Sequence, residues 1–301
     1  MIQEPNKIQK VLVVYKKTKY EIDLEKHKDI NHYKQICKIQ NNCFERVYHS
    51  HLRQLESRKI IQEVFTSGTF IFREGLDLGN IQEYDLIVSL GGDNHFTYTA
   101  HFAAESLIMG CNSDPQTSAG ALLSFSMENL QETLKNNWSD TQIEKWSLIS
   151  GEIEYPDGQK INTISAVSEI SIRNNIPDLT SRYIISYNGI SEEQKSSGIL
   201  LSTGAGSTGW YDSCQIGEPE DVTFPKDSTY FKVYTRELNT KTRKNFLLTD
   251  FSVKGELKII SEMNGGIAID SLSERIYNFP PGAIAHFRLS PKKLHVIIKT
   301  K

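Results

Sequence analysis

The chain has 301 residues, enough for one large or two medium domains with a sizeable core, and two is the expectation. Its 34 Lys and Arg stand against 37 Asp and Glu, a net charge of −3, so no basic excess points to nucleic acid, while local anion sites stay open. No apolar run approaches the roughly 18 residues of a membrane span, and the opening MIQEPNKIQK lacks the apolar core of a signal peptide.

In chain order, Lys10-Val11-Leu12-Val13-Val14-Tyr15 predicts a first buried strand. The basic and aromatic stretch Lys16-Lys17-Thr18-Lys19-Tyr20-Glu21 follows as a loop, facing either solvent or a ligand. Residues 22–63 are polar, with apolar residues at helical intervals (Ile36, Ile39 and Phe44, then Leu52, Leu55, Ile60 and Ile61), which predicts two helices over a sheet. Thr69-Phe70-Ile71-Phe72 is a second candidate strand. The third is Asp85-Leu86-Ile87-Val88-Ser89-Leu90, whose apolar run scarcely alternates and so suits a strand buried on both faces of a parallel sheet.

That third strand stops on Gly91-Gly92-Asp93. The two glycines can take positive φ and let a bulky ligand approach the main chain. Residues 94–107 then carry helical spacing at Phe96, Ala100, Ala103 and Leu107. Strand, glycine turn and helix start make an anion site, where backbone N–H groups and the helix dipole favour phosphate and Asp93 accepts a proton or positions a metal. The competing reading is a tight βα turn whose Asp93 caps the helix.

Residues 107–112 predict a short strand that breaks at Asn112-Ser113-Asp114-Pro115, and 126–137 a helix starting at a capping Ser126, with Trp138 just past its end. Alternating strands and helices make 1–145 an α/β domain with a parallel sheet. From 146 the texture changes to short strand-like runs, at 146–153, 163–172, 183–187, 198–202, 251–260 and 294–298, separated by Asp-Gly, Asn-Gly and Pro-Asp turns. Residues 146–301 are therefore expected to form a β-rich domain, its last strands returning to the first domain. No low-complexity linker divides the halves, so a shared interface with a site is expected. Cys37, Cys43, Cys111 and Cys214 form no CxxC pair and no metal spacing with the eight histidines, which makes reduced thiols and a cytoplasmic location the default.

A second glycine-rich stretch, Ser202-Thr203-Gly204-Ala205-Gly206-Ser207-Thr208-Gly209-Trp210-Tyr211, follows the apolar Ile199-Leu200-Leu201. It satisfies GxGxxG, but residues 214–227 are polar and hold two prolines where a dinucleotide fold needs a packed helix. Two readings remain, a hydroxyl-rich ligand loop ending in aromatics or a Gly-Ser hairpin. In Ala166-Val167-Ser168-Glu169-Ile170-Ser171-Ile172 one carboxylate sits in an apolar strand, facing either solvent or a site, and Asp270 after Gly265-Gly266-Ile267-Ala268-Ile269 is similarly open.

Together these pieces resemble the NAD kinase family, and its mitochondrial-type branch in particular. Gly91-Gly92-Asp93 is similar to the start of that family's GGDGT motif, and 202–210 to its STPTGSTAY motif. Further similarity lies in Lys17-Thr18-Lys19-Tyr20-Glu21, in Gly110-Cys111-Asn112-Ser113-Asp114-Pro115 with Gly120 beyond, in Lys195-Ser196-Ser197-Gly198, and in Asp270 with Gly282-Ala283-Ile284-Ala285. The resemblance implies an α/β domain followed by a β-rich one, and transfer of the γ-phosphate of ATP, with Mg²⁺, to the 2′-hydroxyl of the adenosine ribose of NAD. It also implies a homo-oligomer, with a dimer favoured. By motif position Asp93 would be the base. Gly91 and Gly92 would leave room for donor phosphates, with Asn94 and His95 beside them. Ser168 and Glu169 would stand at the family's Asn-Glu pair near the ribose, and Thr208, Gly209, Trp210 and Ser213 would line the NAD pocket.

The chain departs from the family at Asn94-His95 for Gly-Thr, at Ser168 for Asn and at Trp210 for Tyr. Asn visits positive φ readily, so Asn94 is expected to keep the backbone path. His95 is expected beside the phosphates as an imidazolium with a raised pKa. Two other functions fit the same motifs: a related kinase with a lipid or other alcohol acceptor, and a catalytically weak nucleotide-binding homologue.

Overall fold

The computed structural model describes residues 8–39, 44–77, 81, 83–103, 106–215, 222–241 and 243–300. Cys43 and the stretch 216–221 lie outside them. Two compact units divide the chain, one of residues 1–144 with 295–301 and one of 145–294.

In the first unit β1 (Val11–Tyr15) leads into α1 (Lys19–His27), α2 (Ile30–Ile39) and α3 (Phe44–Val64). Three helices thus stand where two are expected, because Lys28 caps α1 in the left-handed region at φ 59° and turns the chain into a new helix. Thr18 opens α1 with a full capping box, its hydroxyl accepting from the Glu21 amide while the Glu21 carboxylate accepts from the Thr18 amide. Then come β2 (Thr69–Phe72), β3 (Leu86–Gly91), α4 (Asp93–Ala100), β4 (Leu107–Asn112) and α5 (Met127–Lys135), the last capped by Ser126. The strands run parallel in the order β2-β1-β3-β4. Leu86, Ile87, Val88, Leu107, Ile108 and Met109 are buried, as two covered faces require. Helix α4 stops at Ala100, short of the expected 107, where β4 already begins.

The second unit is antiparallel. Its strands are β5 (Thr141–Glu154), which starts in the first unit, β6 (Lys160–Asn162), β7 (Glu169–Asn174), β8 (Ser181–Tyr187), β9 (Ile190–Ser196) and β10 (Gly198–Ser202). After a short helix α6 (Trp210–Cys214) come β11 (Phe231–Arg236), β12 (Asp250–Val253), β13 (Leu257–Ser261), β14 (Gly265–Ile269), β15 (Ile276–Phe279) and β16 (Ile284–Lys299). One sheet runs β12-β11-β10-β7-β14-β15, and a second contains β16-β13-β8-β9. They enclose one core, to which alternate residues turn inward, such as Ile170 and Ile172, Ile199 and Leu201, Phe231 and Val233, Leu257 and Ile259. The end of β16 pairs in parallel with β4, Val296 opposite Ile108. This is an α/β unit with a parallel sheet followed by an antiparallel β-rich unit.

The expected runs 146–153 and 294–298 lengthen into β5 and β16, while two others are divided or shortened. The run 251–260 divides at Gly255 into β12 and β13. The run 163–172 becomes a strand only at Glu169, because the amides of Val167 and Ser168 turn to the Asp270 carboxylate instead of a ladder partner.

Candidate functional site

Asp93 stands at the carboxyl end of β3 as the first residue of α4. Its two carboxylate oxygens accept from the amides of Ala121 (3.1 Å) and Leu122 (2.9 Å). A carboxylate offers about four lone-pair sites, so each oxygen keeps one for a substrate hydroxyl. Gly120, at φ +64°, delivers those two amides, and a side chain there would strike the Asn112 amide. The loop is tied down further. Asn112 donates to the Ser118 carbonyl at 2.9 Å, while buried Asp114 accepts from Ser50, Thr117 and both Nε and a terminal nitrogen of Arg53. That guanidinium leads the hydrogen bonds that hold the Asp114 carboxyl below the usual carboxylate range against the opposing effect of burial. Ser118 brings its hydroxyl within 3.2 Å of where a Cβ on Gly92 would be. Neither Ser118 nor the paired amides carry a signal in the sequence.

The glycines act through space rather than through φ. Gly92 has φ −111° and neither glycine has positive φ, which corrects the expectation of a left-handed turn. Asn94 lies inside α4 and is not among the residues with positive φ, so it does not serve as a glycine substitute. The space over Gly91 is taken by His95, whose ring fills the place of a side chain, so that space is not left for donor phosphates.

His95 is the largest correction. It is buried, its Nε2 is 3.0 Å from the Val14 carbonyl on β1, and burial pushes its pKa down to about 3, with the charges of Lys16 and Arg73 acting in the same direction. The neutral ring donates from Nε2, and Nδ1 has no partner among the described residues. An imidazolium beside phosphates is not what this geometry makes. Positive charge at this end of the sheet comes from Lys16, directly after β1, and Arg73, directly after β2. Burial, followed by the charge of Arg73, lowers the Lys16 pKa.

In the second unit the glycine-rich stretch is no hairpin. It forms a turn of 3-10 helix, Gly206–Thr208, and then α6, which begins at Trp210. Side chains on Gly204 and Gly206 would overlap the carbonyls of Pro225 and Ser168, respectively, so both glycines are there for close backbone packing. Most of the hydroxyls are spent inside the loop. Thr203 donates to the Val167 carbonyl at 2.6 Å and accepts from the Ala205 and Gly206 amides, and Ser207 donates to Gly204 and accepts from Phe224. Ser213 donates to the Gly209 carbonyl at 3.2 Å. Thr208, Gly209 and Ser213 are exposed, and Trp210 is half-buried with the Arg236 guanidinium 4.8 Å from its ring centroid.

Ser168 and Glu169 meet this loop. The Thr203 amide donates to the Ser168 carbonyl at 2.9 Å, and Glu169 faces Ser202 across the ladder. Glu169 is buried rather than solvent-facing. Burial first, and the neighbouring Asp270 second, raise its pKa, while Ser271 donates to its Oε1 at 2.8 Å. Asp270, itself buried with φ 51°, accepts the amides of Val167, Ser168 and Glu169. The structure thus gathers Ser168 and Glu169 with the second glycine-rich stretch in one unit, while Gly91, Gly92, Asp93, Asn94 and His95 cluster in the other. Among the described residues no three His, Cys, Asp or Glu side chains gather as metal ligands, and no helix is long and apolar enough to cross a membrane.

No family model matches the sequence, and no curated protein matches it. Among solved structures it is similar to the crystal structure of an NAD kinase from Archaeoglobus fulgidus in complex with ATP, with a TM-score of 0.60 and 18% identity over 97% of this chain and 93% of that one. At that identity the likeness is one of fold.

Proposed function

We propose that the chain is an ATP-dependent NAD kinase, a homodimer of the mitochondrial-type branch, transferring the γ-phosphate of ATP to the 2′-hydroxyl of the adenosine ribose of NAD. The observation that carries the reading is Asp93: a half-buried carboxylate at the carboxyl end of a parallel strand, heading a helix, and clamped by two amides with lone pairs to spare. A secondary alcohol must lose its proton as it attacks phosphorus, and a fixed carboxylate within reach takes it. The rest of the catalysis is positioning and charge neutralisation. The amides of Asp93 and Asn94 at the start of α4 suit phosphate oxygens, and Lys16 and Arg73 bring the positive charge that the neutral His95 does not. Magnesium enters as part of the MgATP donor, for which Asp93 is the nearest carboxylate at the glycine turn. On the acceptor side, Ser168 and Glu169 serve the ribose, and Thr208, Gly209, Trp210 and Ser213 line the NAD pocket.

The fold shared with an ATP-bound NAD kinase supports this choice over a lipid kinase, as does the polar make-up of the second glycine-rich stretch. The test is incubation with ATP, Mg²⁺ and NAD, with NADP followed by a dehydrogenase specific for it. NADP formed in proportion to enzyme is expected, and nucleotide binding without any NADP would favour a catalytically weak homologue.

A further inference from the structure

A cavity of about 740 Å³ lies wholly within the second unit, along β5, β6 and β16, and neither Ser168, Glu169 nor any residue of α6 is among its lining residues. Its size is that of a small-molecule site. Its lining is unlike a structural cleft, since Pro291 is the only apolar side chain in it. Thr163 sits there nine-tenths buried, yet its hydroxyl has no hydrogen-bond partner among the described residues. Its amide is spent on the Gly151 carbonyl at 2.8 Å, and its Oγ1 is 3.0 Å from where a Cβ on Gly151 would stand. A buried hydroxyl left without a partner costs roughly 1–3 kcal/mol, which a ligand atom can recover.

Charge completes the site. Lys160 is already paired with Glu154 at 2.8 Å, and His286 with Glu256 at 2.9 Å. Arg288 and Lys292, both exposed on β16, line the same cavity and make no ion pair among the described residues. A guanidinium fork, an ammonium and a hydroxyl suit the oxygens of a phosphate group, which accepts from several directions. Glu152, on β5 next to β16 and 3.8 Å from Lys160, and its ladder partner Asn162 also line the cavity; the carboxylate would repel a bare polyanion but accepts hydrogen bonds from hydroxyls. The one aromatic ring among the lining residues is the imidazole of His286, so no large aromatic face is offered to a nucleobase.

We infer that this cavity is a binding site for a phosphorylated polyol, with the phosphate on Arg288, Lys292 and Thr163 and the hydroxyls on Glu152 and Asn162. The site stands whether or not Asp93 is a base, because none of its residues belongs to the proposed kinase machinery.

Titration calorimetry of the whole protein with glucose 6-phosphate, inorganic phosphate and glucose tests it. Glucose 6-phosphate is expected to bind more tightly than either half. Arg288→Gln with Lys292→Gln should weaken it by roughly tenfold or more, the scale of losing charge-assisted contacts. Both residues are exposed, so an unchanged melting temperature confirms the fold. Thr163→Val, close to isosteric, should weaken binding by about threefold to tenfold, as the loss of one hydrogen bond does, and leave NAD kinase activity as it was. The inference is overturned if glucose 6-phosphate does not bind at millimolar concentration, if inorganic phosphate binds as tightly, or if the double variant binds like the parent.

Discussion

The imidazole of His95 occupies the space that a side chain at residue 91 would need: a Cβ built on Gly91 falls 2.7 Å from the His95 Cδ2 and 2.9 Å from its Cβ and Cγ. The ring has little freedom to move, being buried and bonded to the Val14 carbonyl. Gly91→Ala should therefore destabilise the protein by about 1–3 kcal/mol, the range for overpacking a filled interior. Combining it with His95→Thr should cost less than the sum of the two, since the smaller residue vacates the space. Urea unfolding of the four proteins measures the coupling, and strict additivity would mean that the two positions do not meet.

The same burial fixes a pH dependence. Folded His95 has its pKa pushed down to about 3, against about 6.5 unfolded. As pH falls below the unfolded value, the unfolded chain takes a proton that the native ring refuses, so stability is full above that value and lost between it and about 3. The slope is up to about 1.4 kcal/mol per pH unit. Midpoints of urea unfolding between neutral and acid pH should fall less steeply for His95→Gln than for the parent. His95 should also contribute no alkaline limb to the rate, and a limb removed by His95→Thr would contradict its neutrality.

That reversal shows where the sequence was readable. The doubly buried strands at Val11–Val14 and Leu86–Val88 announce themselves because both faces need apolar residues, and Gly91-Gly92-Asp93 follows from strand, turn and helix start alone. His95 is expected beside the phosphates only because it stands at the last position of the resembled GGDGT motif. Its acceptor, the Val14 carbonyl, is 81 residues away and leaves no local trace. Strand β9, Ile190-Ser191-Glu192-Glu193-Gln194-Lys195-Ser196, was missed for a related reason. Glu192 and Gln194 turn inward where apolar residues are expected, and they are satisfied by the Leu247 and Leu248 amides, Arg243 and the Leu248 carbonyl, all more than 40 residues further on. Strand β14 opens with two glycines, which carry no strand signal.

Asp270 should be the costlier carboxylate to lose in the second unit. It accepts three consecutive amides, at 2.9, 2.7 and 3.0 Å, while holding φ at 51°. Asn tolerates that φ but turns an amide donor toward donors, so Asp270→Asn is expected to cost roughly 2–4 kcal/mol from unmade charge-assisted bonds, not from backbone strain. Removing the charge should also let the Glu169 pKa fall, since Asp270 is the second cause of its rise. Thermal unfolding gives the first effect, and carboxyl NMR titration of Glu169 the second; an unmoved Glu169 would mean that burial alone sets its pKa.

Asp93 is both clamp and proposed base, and one substitution separates the roles. In Asp93→Asn one carboxylate oxygen becomes an NH₂ group, so either the Ala121 or the Leu122 amide loses its acceptor, at a cost of about 1–3 kcal/mol. If the residue only clamps the loop, the folded fraction should turn over at close to the parent rate once the assay temperature is lowered below the weakened transition. If it is the base, kcat should fall by roughly 10²–10⁴ at every temperature while NAD affinity by calorimetry stays within a few-fold, because shape is nearly kept and only the proton acceptor is gone. Asp93→Glu adds a check, since it restores a base displaced by one methylene and should recover part of kcat without restoring both amide bonds. Near-parental turnover in a folded Asp93→Asn protein would remove the carboxylate from the chemistry and leave it as the clamp on the Ala121 and Leu122 amides.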